Sequence, residues 1–279
     1  MRTGLSDGTA SITGGFGGRL RWWRERRGLS QLDLAGDADT TQRHLSFLES
    51  GRALPSREMI LRLAAALDLP LRQQNALFLA AGFAPAWRES ALSAPELARV
   101  ESALGYMLAQ QEPYPAFVLD RRWTILRANA GAARLAEFLA GPTPAPADEP
   151  VNLAVALMSP DGLRPFIVNW EEVAGYFLRG VQADALEDGT PETAALLARL
   201  LAVPGAPARS KVPLPDEGQA PVLVIHFRRG DTSLRLFTTL ATLGTPHDVT
   251  LQEIRIECFF PMDDATASVF RAWAEKGRS

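Results

Sequence analysis

Residues 29–56, LSQLDLAGDADTTQRHLSFLESGRALPS, carry the clearest signals for secondary structure in the N-terminal part of the chain. They predict two helix starts, because Ser30 and Thr41 can each cap a helix that begins one residue later. Asp37–Thr40 predicts a tight turn between the two helices, and Gly51 predicts the end of the second. Two short helices joined by a tight turn form a helix-turn-helix unit.

Helices are also predicted on both sides of this stretch. Phe16, Leu20 and Trp23 share one face of a first helix that Gly28 ends. Ser56 caps a fourth helix, and residues 71–81 form a fifth. The sequence therefore predicts an all-α domain over residues 16–90.

The second helix of a helix-turn-helix presents its first turn to base edges in the major groove of DNA. Here that turn holds Thr41, Gln42 and Arg43; Gln can read adenine and Arg guanine. Ser46 and Phe47 follow one turn later, and these five residues are the predicted base-reading set. Two alternatives stay open: Phe47 packs in the core, or the whole segment is a helical bundle without a DNA role.

The same stretch resembles the lambda-repressor-like helix-turn-helix of the xenobiotic-response-element (XRE) family. The residues that carry the resemblance are Leu29, Ser30, Gln31, Leu34, Ala35, Leu45, Ser46, Glu49, Gly51 and Pro55. The resemblance implies a partly buried ion pair between Arg24 and Glu49. Asp39 and Thr40 depart from the family, which usually has Gly and an apolar residue there. The predicted phosphate-contacting set is Arg19, Arg24, Gln31, Ser50 and Arg52.

The charge of the chain is unevenly distributed. Its 279 residues, enough for two domains, carry a net charge of -3. Residues 1–90 contain 12 Arg, no Lys and 9 acidic residues, a net charge of +3, whereas residues 91–279 carry -6. A basic N-terminal part joined to an acidic C-terminal part favours nucleic-acid contact by the first alone.

Several features predict a cytoplasmic protein without a membrane segment. Cys258 is the single cysteine, so no intrachain disulfide can form. Residues 1–15, rich in Gly, Ser and Thr, predict a flexible tail rather than a signal peptide. No run of apolar residues is long enough to span a bilayer.

Residues 91–112 are predicted to form a linker helix. Leu97, Val100, Leu104 and Leu108 recur on it at helical spacing. This stripe is either ordinary core or the seam of a homodimer, which would suit binding to two DNA half-sites.

Residues 113–279 predict an α+β domain. Residues 117–129 predict a hairpin and are followed by predicted helices at 130–140, 153–158, 166–182 and 193–201. Two strands joined near Gly230-Asp231 follow, and residues 249–261 predict a last strand. This order resembles a PAS-like sensor, an antiparallel sheet covered by helices on one face.

Residues 112–130, 159–176 and 242–261 resemble the ligand-binding domain of MmyB-like transcription regulators. The resemblance implies an intracellular small-molecule sensor whose apolar pocket takes a fatty-acyl-like ligand. Ser159 stands where the family usually has His. The predicted ligand-binding set is Phe117, Trp123, Asn129, Phe166, Asn169, Trp170, Tyr176, Phe177, His226, Arg228 and Phe237; the alternative is that its aromatic members are plain core.

Catalysis is not expected. His44, His226 and His247 are scattered, and no nucleophile motif or zinc-binding spacing occurs, so neither an acyl-processing enzyme nor a metal or other cofactor is predicted. The sequence predicts a transcription regulator that binds a double-stranded DNA operator and an apolar ligand, as a homodimer. The alternative is a DNA-binding protein whose C-terminal domain is a ligand-free dimerisation or protein-interaction platform.

Overall fold

The computed structural model describes residues 14–141, 150–207 and 222–276. It divides into two compact units, the first containing the chain up to Ser90 and the second most of the rest. The predicted tail at residues 1–15 lies outside the described residues except for Gly14 and Gly15.

The first unit is a bundle of short helices, as predicted. They are α1 (Phe16–Arg26), α2 (Gln31–Asp37), α3 (Gln42–Glu49), α4 (Arg57–Ala66) and α5 (Leu71–Ala80). Ser30, Thr41 and Ser56 each accept a hydrogen bond from the backbone N–H three residues on, which confirms the predicted caps. The core between the helices includes Trp23 and Phe78, both at most 1% exposed.

Two backbone positions fix the packing around the turn. Asp39 takes a left-handed conformation, with φ of 49°, where the XRE family usually has Gly. Asp tolerates this conformation better than most residues, so the turn forms as predicted. Gly17 lies so close to α3 that a Cβ there would be 2.5 Å from the carbonyl oxygens of Leu48 and Glu49.

Two further segments complete this unit, residues 185–194 and 245–252. Arg26 donates from Nε to the carbonyl oxygen of Leu186 at 2.7 Å, and burial lowers the pKa of its guanidinium. Gln73 donates to the carbonyl oxygen of Asp188 at 2.6 Å. Residues that are distant in the sequence are therefore part of the compact unit that carries the helix-turn-helix.

The second unit contains an antiparallel sheet in the order β2-β1-β5-β4-β3. Its strands are β1 (Ala116–Leu119), β2 (Ile125–Ala128), β3 (Ile225–Arg229), β4 (Thr232–Thr242) and β5 (Arg255–Pro261). Both predicted hairpins are present, since β1 pairs with β2 and β3 with β4. This confirms the predicted α+β domain.

The helices of the second unit follow the prediction with three differences. They are α6 (Ala98–Gln110), α7 (Ala130–Ala140), α8 (Leu153–Met158), α9 (Trp170–Asp188), α10 (Pro191–Leu201) and α12 (Asp264–Lys276). The end of α9 and the start of α10 fall within residues 185–194 of the first unit, which also contains α11 (Val249–Glu253) except for its last residue. The predicted strand over residues 249–261 is wrong in its first part, which is α11. The prediction did not include α12. Helix α9 spans Trp170–Asp188 rather than the predicted residues 166–182.

Helices pack on both faces of the sheet, not on one as predicted. Arg255 of β5 binds Asp184 of α9 with Nη1 2.7 Å from Oδ2. Arg127 of β2 donates to the carbonyl oxygen of Glu101 on α6. The strand register and side-chain alternation put Arg255 and Arg127 on opposite faces. We call the face that carries Arg255 the α9 face. On α6, Leu104 and Leu108 are buried, so these two residues of the predicted apolar stripe belong to the core.

Candidate nucleic-acid interface and ligand-binding domain

The first turn of α3 projects from the first unit. Thr41 caps the helix by accepting a hydrogen bond from the His44 N–H at 3.1 Å. Thr41, Gln42 and Arg43 are all exposed. The predicted base-reading turn therefore lies on a surface that DNA can reach, with the amide of Gln42 and the guanidinium of Arg43 side by side in sequence.

A small cluster of cations around an aromatic ring continues this surface. Phe47 is half-buried, with the guanidinium carbon of Arg43 5.4 Å and that of Arg52 6.0 Å from the centre of its ring. Ser46 is half-buried beside it, and Ser50 is exposed. Phe47 thus both packs and contributes to the surface, so it stays in the predicted base-reading set.

Arg24, Glu49 and Gln31 form a hydrogen-bonded network between α1, α2 and α3. Arg24 binds Glu49 through two bonds, Nε to Oε1 at 2.6 Å and Nη2 to Oε2 at 3.0 Å. Its Nη1 donates to the carbonyl oxygen of Leu29, and Gln31 donates to Oε2 of Glu49 at 2.8 Å. The hydrogen bond to Glu49 raises the pKa of Arg24.

This network involves two of the predicted phosphate contacts. Arg24 is 8% exposed, and each of its guanidinium nitrogens donates one hydrogen bond within the protein, so Glu49 orients the guanidinium and the phosphate contact of Arg24 stays a prediction. Gln31 uses one donor on Glu49, which orients its amide. Arg52 is exposed. Arg19 is half-exposed and donates to the carbonyl oxygen of Gly14. Both arginines stay predicted phosphate contacts, as do Gln31 and Ser50.

In the second unit, two predicted ligand anchors serve the fold instead. Asn129 caps α7, accepts from the N–H groups of Ala132 and Ala116, and donates to two carbonyl oxygens. Asn169 donates to the carbonyl oxygen of Val224 and accepts from the His226 N–H. Both side-chain amides make their hydrogen bonds within the protein, so the assignment of Asn129 and Asn169 as ligand anchors is wrong.

The remaining predicted residues of the strands divide between the two faces of the sheet. Phe117 shares the α9 face with Phe259, at 5.8 Å between ring centres. His226, Arg228 and Phe237 lie on the opposite face by the register of β3 and β4. The prediction that all four line one pocket is therefore wrong. Burial lowers the pKa of His226, and Arg235 and Arg228 lower it further.

The predicted residues around α9 form aromatic contacts. Trp123 packs edge-on against Phe177 at 5.0 Å between ring centres, and Tyr176 is 46% exposed. The guanidinium of Arg164 lies 3.6 Å from the centre of the Trp170 ring. Phe166 lies in a short 3-10 helix, with the guanidinium of Arg229 5.9 Å from its ring centre.

The buried acid Glu257 was not among the predicted site residues. Glu257 of β5 is 2% exposed, and burial raises its pKa to about 7. The signal was present in the sequence, because Glu257 alternates in phase with Phe259 on a strand that is rich in apolar residues.

No group of metal ligands occurs among the described residues. Cys258 is half-buried, and burial raises the pKa of its thiol, opposite to the shift that activates a nucleophilic cysteine. Within the described part of the chain, no helix is long and apolar enough to cross a membrane.

Family models match both parts of the chain. A helix-turn-helix domain matches residues 16–77, and the MmyB-like transcription regulator ligand binding domain matches residues 100–272. No curated protein matches the chain. The second match covers more than half of the chain, and the exposed α3 turn and the five-stranded antiparallel sheet agree with the two matches. The chain therefore belongs to the MmyB-like transcription regulators, in which an XRE-like helix-turn-helix and a ligand-binding domain make up a ligand-responsive transcription regulator.

Proposed function

We propose that the protein binds a specific double-stranded DNA operator by inserting the first turn of α3 into the major groove. The observation that carries this is the exposed row Thr41, Gln42 and Arg43 at the start of a helix that is held in a helix-turn-helix. One well-placed bidentate contact supplies about 1–3 kcal/mol of discrimination between bases. Gln42 and Arg43 can each make such a contact.

Phosphate contacts support the same docking. Exposed Arg52 and Ser50 follow α3 directly, and Arg43 and Arg52 flank Phe47. The net charge of residues 1–90 is only +3, so local placement of arginine and pairing of two subunits supply the affinity. A homodimer would present two α3 helices to two half-sites.

We further propose that the second unit senses an apolar, fatty-acyl-like small molecule in the cytoplasm. Support comes from Phe117 and Phe259 on the α9 face and from Trp123 and Phe177, which are apolar, aromatic side chains of the kind that line such a pocket. The ligand would regulate DNA binding by binding unequally to two states of the protein.

The DNA-binding proposal is tested by footprinting an operator that the full chain selects from random duplexes. The double variant Gln42→Ala/Arg43→Ala loses the sequence preference and keeps weak binding to any duplex. The matched control, Arg99→Ala/Gln110→Ala on the exposed side of α6, keeps the footprint. An unchanged footprint with the first double variant would overturn the proposal.

A second candidate function for the second unit is a ligand-free dimerisation platform. The observation that favours it is on α6, where Tyr106 is 66% and Met107 39% exposed. Native mass spectrometry of protein purified from cells separates the two candidates. A copurified lipid supports sensing, whereas a clean dimer mass that Tyr106→Ser converts to a monomer supports the platform.

A further inference from the structure

Phe47 lies on the same side of α3 as the arginine of the reading turn. Arg43 and Phe47 are four residues apart on one helix, and such residues are neighbours on its surface. The inward positions of α3 are Leu45 and Leu48, both 0% exposed, whereas Phe47 stays half-buried. Part of an aromatic ring is therefore exposed beside the residues that are proposed to enter the major groove.

Hydrogen bonds from the loop after α3 hold the backbone of Phe47. Its carbonyl oxygen accepts from the N–H groups of Arg52 at 2.9 Å and Ala53 at 3.2 Å, and from the hydroxyl of Ser50 at 3.3 Å. Because the backbone is held and the side chain has only two rotatable bonds, little conformational freedom is lost when the ring meets a ligand.

Two guanidinium groups lie close to the Phe47 ring. The guanidinium carbon of Arg43 is 5.4 Å and that of Arg52 6.0 Å from the ring centre. A cation within about 6 Å of a ring centre is attracted to the face of the ring. The ring therefore restricts where the exposed guanidinium of Arg43 points, so the two side chains meet DNA as one unit.

The major groove presents a pair of groups that matches this unit. Guanine offers N7 and O6, which accept two hydrogen bonds from an arginine, and thymine offers its C5-methyl group, which favours an apolar contact. Successive base pairs are about 3.4 Å apart along the axis, so two steps, about 7 Å, exceed the 5.4 Å between the Arg43 guanidinium carbon and the Phe47 ring centre. One step with a sideways offset fits this distance, which points to neighbouring base pairs.

Other groups of the duplex suit the Phe47 ring less well. Phosphate is an anion, and the exposed guanidinium of Arg52 beside the ring is its natural partner. The hydrogen-bonding edges of adenine, guanine and cytosine would lose water against a ring that cannot replace their hydrogen bonds. The methyl group of thymine has no hydrogen bond to lose.

We propose that Phe47 determines specificity at one position of the operator, by covering the C5-methyl group of a thymine in the base pair next to the guanine that Arg43 reads. Arg43 selects the guanine, and the ring distinguishes the methyl group from the bare edges of the other bases. This inference rests on the proposed reading of DNA by α3 and specifies one step of the operator, a guanine with a neighbouring thymine.

The test removes the methyl group alone. The operator that the full chain selects from random duplexes is resynthesised with uracil in place of each thymine in turn, and dissociation constants are measured by fluorescence anisotropy. We expect uracil at one position next to a guanine to weaken wild-type binding about fourfold, because one apolar carbon is no longer buried. With a cytosine–guanine pair at that position, methylation of the cytosine at C5 should strengthen binding by a similar factor.

The variant Phe47→Ala removes the ring and leaves Gln42 and Arg43 in place. Its affinities for the thymine and uracil duplexes should agree within about 1.5-fold, since the coupling between the ring and the methyl group is gone. The control Leu79→Ala removes a 60% exposed apolar side chain from α5 and keeps the fourfold difference. If Phe47→Ala does not fold, the uracil series on the wild-type protein still decides.

The outcomes separate this inference from the proposed function. A selected operator without a thymine next to a guanine, or uracil that leaves wild-type binding unchanged at every such position, overturns the role of Phe47 and leaves base reading by α3 intact. Persistence of the fourfold loss in Phe47→Ala does the same, because another residue then covers the methyl group. Failure of the wild-type protein to select any motif overturns the base-reading proposal, and this inference with it.

Discussion

Removing the carboxylate of Glu49 should destabilise the first unit severely. The Glu49 side chain is 4% exposed and that of Arg24 10% exposed, and two hydrogen bonds join them. Glu49→Ala leaves the buried Arg24 guanidinium with the carbonyl oxygen of Leu29 as a hydrogen-bond acceptor and with the exposed carboxylate of Glu25 3.7 Å from Nη2. It also takes away the acceptor of Gln31.

The expected loss follows from the burial of the pair. Removing one partner of a buried, hydrogen-bonded ion pair costs about 3–5 kcal/mol, because an uncompensated charge is left behind. Each 1.36 kcal/mol is a factor of ten, so the opening equilibrium of α1 and α3 should rise roughly 10²- to 10⁴-fold. The control Arg21→Ala breaks only the exposed pair of Arg21 with Glu25, and exposed pairs contribute little to stability.

Hydrogen exchange of backbone amides in the full chain, followed by mass spectrometry, measures this opening locally. Peptides from α1 and α3 should exchange much faster in Glu49→Ala and nearly normally in Arg21→Ala. The double variant Arg24→Met/Glu49→Leu should recover most of the protection, because both charges are gone. Wild-type exchange in Glu49→Ala, or no recovery in the double variant, would refute this reasoning.

Three further predictions concern packing, titration and DNA binding. Gly17→Ala should lower the free energy of unfolding in a urea titration by about 1–3 kcal/mol, because the new Cβ meets the carbonyl oxygens at the end of α3. The control Gly18→Ala has open space around its Cβ and should not destabilise the protein in the same titration. Glu257 has a pKa raised from 4.5 to about 7, so its stabilising contribution is fully present below pH 4.5 and is lost as the pH rises through 7. The free energy of unfolding, measured across that pH range, should fall by about 3 kcal/mol. Glu257→Gln should remove this dependence on pH. Arg52→Ala should weaken binding to all duplexes similarly and reduce the slope of log affinity against log salt by about 1, whereas an unchanged slope would exclude a phosphate contact.

The helix-turn-helix was predictable because its signals are local. Ser30, Thr41 and Gly51 each act within a few residues of their own position, and the structure has the caps and the helix end that they predict. The ion pair between Arg24 and Glu49, 25 residues apart, was expected from the family resemblance alone, since no local pattern reveals it, and the structure confirms it.

For the ligand-binding domain, the order of the strands was predicted better than the positions of the site residues. Alternation identifies the faces of each strand, but only the pairing of β4 with β5 and of β3 with β4 shows that Phe237 and Phe117 face opposite ways. The strand predicted from Val249 begins later, because hydrogen bonds with distant residues, such as Val249 N–H to the carbonyl oxygen of Arg88, hold that segment in the first unit.

The central claim, that the first turn of α3 reads base sequence, is tested most directly by selecting duplexes from a random pool with the full chain and with Gln42→Ala/Arg43→Ala. The wild-type protein should enrich one motif, and the double variant should retain DNA without enriching it. Enrichment of the same motif by both proteins, or of no motif by the wild type, would contradict the claim.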